Sequence, residues 1–107
     1  MTKCEFFTQD DRITGFSVCG HSGYAEAGQD IVCAAISAAV AMAECTINDV
    51  CGGKAKVRVK EADARITLTL PASCDEEESV QAVLSGLLLT LLRLREDYED
   101  YIEVLEV

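Results

Sequence analysis

Between Ala64 and Leu70 the chain alternates strictly, with Ile66, Leu68 and Leu70 on one face and Arg65, Thr67 and Thr69 on the other. That period of two predicts a strand with one buried side. Lys56 to Lys60 alternates in the same way, so the two segments predict a hairpin around Glu61-Ala62-Asp63. Residues 2–8 and 12–19 read as two further strands, with Asp10-Asp11 as the turn between them. Elsewhere the period changes. Val32, Ile36, Ala39, Val40, Ala43, Ile47 and Val50 recur at steps of three and four, which predicts a helix from the N-cap Asp30 to about Val50, stopped by Gly52-Gly53. Its other faces are also small and apolar (Ala34, Ala35, Ala38, Met42), so it is expected to be the central element, buried on several sides. A second helix is expected from about Asp75, its acidic first turn suiting the dipole and Arg93 and Arg95 lying at its end. Val80, Val83, Leu84, Leu87, Leu88, Leu91 and Leu92 form its apolar stripe, and Tyr101 to Val107 reads as a last strand. The order ββαββαβ predicts an α+β fold: one two-layer domain, a mostly antiparallel sheet packed on two helices.

The rest of the composition fits that picture. A chain of 107 residues is expected to be one domain with one core, and half of the residues are apolar. The single proline, Pro71, and the absence of any Ser-, Gly- or Pro-rich stretch argue against a linker, and no repeat or low-complexity segment is visible. Met1 to Asp10 has no signal-peptide core, and the most apolar run, Ile31 to Ala43, is shorter than the ~20 residues of a membrane span. The protein is therefore expected in the cytosol, off the membrane.

Nineteen Asp and Glu outweigh nine Lys and Arg, for a net charge of −10. Nucleic-acid binding needs clustered cations, so no direct nucleic-acid partner is expected. The acidity suits a basic partner, or simply solubility. None of the six cysteines (Cys4, Cys19, Cys33, Cys45, Cys51, Cys74) pairs at C-x-x-C spacing. One histidine and scattered thiols offer no credible zinc set, and no metal or other cofactor is expected.

One segment departs from core logic. A glycine-punctuated loop, Gly20 to Gln29, holds the only histidine, His21, and leads into the helix whose third residue is Cys33. A thiol in a helix's first turn feels the positive dipole end and unpaired N–H groups, which favour thiolate. The same N–H groups are candidates to hold an oxyanion. The loop is long enough to bring the imidazole back to the sulfur. Equally, Cys33 reads as a buried thiol and His21 as a polar loop residue. Asp30 has two readings, helix cap or orienter of His21. Cys19 is the competing thiol, two residues from His21 on the preceding strand.

Gly20-His21, then Gly28, then Asp30-Ile31-Val32-Cys33-Ala34-Ala35 with Ser37-Ala38, resembles the ribosomal-processing cysteine protease Prp family. Its pattern is a Gly-His pair, a loop and an Asp-Ile-Val-Cys-Ala segment, with His and Cys twelve apart. The resemblance implies a homodimeric peptidase that removes an N-terminal extension from large-subunit ribosomal protein twenty-seven during bacterial ribosome maturation. It places the catalytic pair on His21 and Cys33, gives Asp30 and Ser37 as possible supporting residues, and leaves Gly20, Gly23 and Gly28 to let a substrate loop close. The precursor would be the partner, and a basic ribosomal protein would give the acidity a purpose. The alternative is a non-enzymatic, ribosome-associated binding or assembly factor that uses the same groove to hold a peptide.

Overall fold

In the computed structural model, which describes residues 1–107, two helices cover one face of a five-stranded mixed sheet. The strands are β1 (Thr2–Gln9), β2 (Arg12–Cys19), β3 (Lys56–Lys60), β4 (Arg65–Thr69) and β5 (Ile102–Glu106), and the helices are α1 (Ile31–Cys45) and α2 (Glu77–Asp97). The predicted order ββαββαβ is the observed one. Across the sheet the strands run β3-β4-β2-β1-β5. All neighbours are antiparallel except β1 and β5, which the chain joins only after crossing over through α2.

Register decides what the sheet buries. Cys4 pairs with Val18 and Phe6 with Phe16 across β1 and β2, while Phe16 pairs with Leu68 and Val18 with Ile66 across β2 and β4. These residues therefore share the helix-covered face, where the Phe6 and Phe16 rings lie 5.8 Å apart. Val80, Leu84, Leu87 and Leu91 of α2 complete the core, each worth about 1.5–3 kcal/mol when fully buried. The helix begins two residues later than predicted, because Asp75 and Glu76 form a turn in which Glu76 takes φ 54°. Gln81 then ties α2 to the sheet, its side-chain amide exchanging two 2.8 Å hydrogen bonds with the Ile13 backbone.

The first helix departs from expectation in two ways. Its last turn, Thr46–Val50, is wound as a π-helix, and the Gly53 N–H closes it on the Ile47 carbonyl at 2.7 Å. The full helical stretch Ile31–Val50 is thus 20 residues with mean hydropathy 1.7, long and apolar enough by length and composition to cross a membrane. Here it packs on the sheet through Val32, Ile36, Val40, Ala43 and Ile47. The second departure corrects the reading of α1 as a central helix buried on several sides. In a two-layer domain a helix meets the sheet on one face only, and Ile31, Ala34, Ala38, Ala41 and Met42 remain exposed.

Candidate active site

Asp30 shapes the start of α1. Its carboxylate accepts the N–H groups of Val32 at 3.0 Å and Cys33 at 2.9 Å, and the Ala34 N–H bonds to its carbonyl at 3.0 Å. The same carboxylate accepts the Ser22 hydroxyl and, at 3.4 Å, the Ala25 N–H. Burial opposes a charge here, but the Ser22 hydroxyl and the Cys33 and Ala25 N–H groups outweigh it and hold the carboxyl well below the usual carboxylate range. No hydrogen bond joins Asp30 to His21, so of its two readings the structure shows the cap. Two of the N–H groups expected to be free for an oxyanion, those of Val32 and Cys33, are taken by that cap, so the first turn's backbone is not wholly open to an anion.

Cys33 is half-buried one turn into the helix, and the Ser22 N–H donates to its sulfur at 3.2 Å. Ser22 is the residue that sequence reasoning missed. It is 2 % exposed, and with its hydroxyl held by Asp30 its N–H is aimed at the nucleophile candidate. Its one local partner, the Tyr24 N–H on its hydroxyl oxygen at 3.2 Å, does not mark it, because the partners that tie it to the sulfur, Asp30 and Cys33, lie eight and eleven residues away.

His21 is exposed beside this centre, flanked by buried Ser22 and by Gly20. The structure contains no hydrogen bond between the imidazole and the Cys33 sulfur, but both line two cavities that meet at them. One, of about 740 Å³, opens toward the loop residues Ala25 to Ile31; the other, of about 270 Å³, runs along α1. Ser37, one turn after Cys33, lines both and is exposed.

Backbone geometry explains the loop's glycines. Gly20, Gly23 and Gly28 all have positive φ, at 86°, 77° and 88°. A turn closes with the Gln29 N–H on the Glu26 carbonyl at 2.9 Å, and Tyr24 sets its ring edge-on against Tyr98 at 5.5 Å and Tyr101 at 5.2 Å. That aromatic contact joins the loop to the segment between α2 and β5, a juxtaposition no local pattern announces.

The competing thiols have different surroundings. Strand alternation turns Cys19 away from the helix-covered face that holds Val18, and so away from Cys33. Burial and the neighbouring Cys19 push the Cys4 thiol up to about 12. Burial and a hydrogen bond to Glu77 raise Cys74, whose sulfur lies 2.7 Å from that carboxylate. No three of the His, Cys, Asp and Glu side chains converge as metal ligands.

A family model described as cysteine protease Prp matches residues 1–103. The ribosomal processing cysteine protease Prp of Bacillus subtilis is 29% identical over 99 residues, covering 91% of this chain and 88% of that protein. Two crystal structures share the fold over the whole chain. One is an essential ribosomal processing protease Prp from S. aureus with a covalently linked product peptide (TM-score 0.91, 21% identity, all of that chain). The other is a Streptococcus mutans protein (TM-score 0.85, 22% identity, 96% of that chain).

Proposed function

We propose that this chain, which belongs to the cysteine protease Prp family, removes the N-terminal extension of large-subunit ribosomal protein twenty-seven, with Cys33 as nucleophile and His21 as base. As a member of that family it is a cysteine peptidase, which sets aside the alternative of a non-enzymatic binding factor. The observation that carries the residue assignment is the meeting of Cys33 and His21 at the junction of two cavities, with the Ser22 N–H on the sulfur.

In the proposed reaction His21 takes the Cys33 proton and the thiolate attacks the scissile carbonyl. The imidazolium returns that proton to the departing amine, leaving a thioester on Cys33. Neutral His21 then draws a proton from water, which attacks the thioester; the C–S bond breaks, the imidazolium returns its proton to the departing Cys33 sulfur, and the carboxyl end of the extension is freed. Asp30 fixes the helix turn that carries the sulfur, Ser37 offers a hydroxyl beside the scissile bond, and Gly20, Gly23 and Gly28 let the loop close over bound peptide. Residues 1–107 act as a single peptidase domain, in the cytosol.

The pairing of two chains follows from the same reading. The outer face of α1 leaves Ile31 and Met42 each 55% exposed along a stripe of alanines. A second copy is the proposed cover for part of that apolar face.

Mass spectrometry of the precursor tests the function. Wild type should shorten it once, irreversibly, at one bond. Cys33→Ser and His21→Ala should each lose at least ~99% of the rate, since a base alone contributes about 10²–10⁴-fold. More than a tenth of wild-type rate in either folded variant would overturn the dyad, and an unshortened precursor with wild type would overturn the substrate.

A further inference from the structure

The smaller of the two cavities is a groove with a charge at its far end. Cys33, Ser37, Ala41 and Glu44 follow one another down α1 at steps of four, four and three, and so lie on one stripe that lines it. Ile66 of β4 forms part of the facing wall. From Cys33 to Glu44 the helix rises about 16 Å. An extended peptide covers that distance in about five residues.

Glu44 is the only Asp, Glu, Lys or Arg that lines this groove, whose middle is apolar or small. It is half-buried, and the chain supplies it with no counter-ion. The two ion pairs in the protein, Arg12 with Glu77 and Lys60 with Asp63, lie elsewhere. A carboxylate held beside apolar surface without a cation gains most from a positive group brought in by whatever fills the groove.

We infer that Glu44 is a specificity-determining residue: the groove takes one arm of an extended peptide substrate, and Glu44 receives a Lys or Arg side chain about five residues from the scissile bond. This rests on Cys33 as the nucleophile. The loop-side cavity, which shares Cys33, His21 and Ser37 with the groove, takes the other arm. The apolar middle selects against charge, and the far end selects for one sign of it.

The test uses synthetic peptides spanning the extension junction, with Lys, Gln or Glu placed singly at the fourth to sixth positions on either side. Cleavage by wild type should favour Lys over Glu by about fivefold or more in kcat/KM, at one position on one side only, with the difference in KM. Glu44→Gln should flatten that preference, and Glu44→Lys should invert it. Fluorescein-labelled versions of the same peptides, titrated into Cys33→Ala, read the charge preference as affinity without requiring cleavage. That second arm separates failure of the nucleophile assignment from failure of the groove assignment. An unchanged Lys-to-Glu ratio in Glu44→Lys, in both cleavage and binding, would overturn the inference.

Discussion

Replacing Gly20 by alanine should injure both the fold and the site, and the structure says how far. Gly20 has φ 86°, where an L side chain costs about 1–2 kcal/mol. A Cβ built there would also stand 2.8 Å from the Met1 carbonyl oxygen, closer than real contacts allow and against backbone that cannot swing aside. Forcing atoms into such a place adds about 1–3 kcal/mol. The residue cannot shift freely, because its N–H bonds to the carbonyls of Asp63 at 3.3 Å and Ala64 at 3.2 Å, and its carbonyl accepts the Thr2 hydroxyl at 3.2 Å. Gly28 is the internal control: its φ is 88°, yet nothing lies within 4 Å of an added Cβ. Gly28→Ala should therefore lose only the backbone share, about 1–2 kcal/mol, whereas Gly20→Ala should lose about 2–5 kcal/mol. Urea unfolding of both variants measures the gap. Because Gly20 adjoins His21, the cleavage rate of Gly20→Ala should also fall at least about tenfold under conditions where it remains folded. Equal urea midpoints for the two variants would refute the steric argument.

Iodoacetamide followed by peptide mapping should label Cys33 first, since Cys4 and Cys74 are held as thiols and exposed Cys45 lies in the C-terminal half of the helical stretch, away from its positive end; Cys19→Ala should keep most activity, and a dead Cys19→Ala with an active Cys33→Ala would reverse the assignment. Light scattering at micromolar concentration should report twice the chain mass, and Met42→Lys, on the exposed face of α1, should shift it toward one chain; a fully active wild-type monomer would contradict the proposed pairing. Hydrogen exchange over residues 22–29 should slow when a substrate peptide binds Cys33→Ala, and should quicken in Tyr24→Ala, which loses the contacts to Tyr98 and Tyr101. Unchanged exchange in Tyr24→Ala would mean the tyrosine cluster does not hold the loop.

Most of the fold was legible because each element announces itself locally. The alternation from Ala64 to Leu70, the three-four spacing of Val80 to Leu92 and the cap at Asp30 need no long-range knowledge. What stayed hidden depends on layers. That α1 is apolar all round was visible, but which side would meet the sheet and which would stay bare was not, because strand order decides it. As candidates, Cys33 and His21 were legible from a motif. Ser22 was not, since an N–H directed at a sulfur eleven residues on has no signature in residue type. Glu44 looked like one more acidic residue until Ile66 of a distant strand closed the groove over it.

Asp30 shows how the loop, the helix and the sulfur form one unit, and its replacement separates the two roles first open to it. A carboxylate that oriented His21 would be felt chiefly in the pH dependence of cleavage. A carboxylate that accepts Val32, Cys33, Ser22 and Ala25 has no capacity left for an imidazole and acts through position instead. Its folded-state acidity is increased, so the stability it contributes is present above its unfolded value, near pH 4, and is lost as pH falls below that toward the folded one. Asp30→Asn keeps one acceptor oxygen for the cap but no charge. It should therefore be less stable than wild type at neutral pH and should show a shallower loss of stability between about pH 5 and pH 2. Ser22, no longer gripped by a charged partner, should loosen its hold on the Cys33 sulfur, so kcat should drop while the pH at which cleavage is half-maximal stays put. A variant with wild-type stability and a displaced pH profile would mean that Asp30 reaches His21 in the working enzyme, and that the cap is the lesser of its roles.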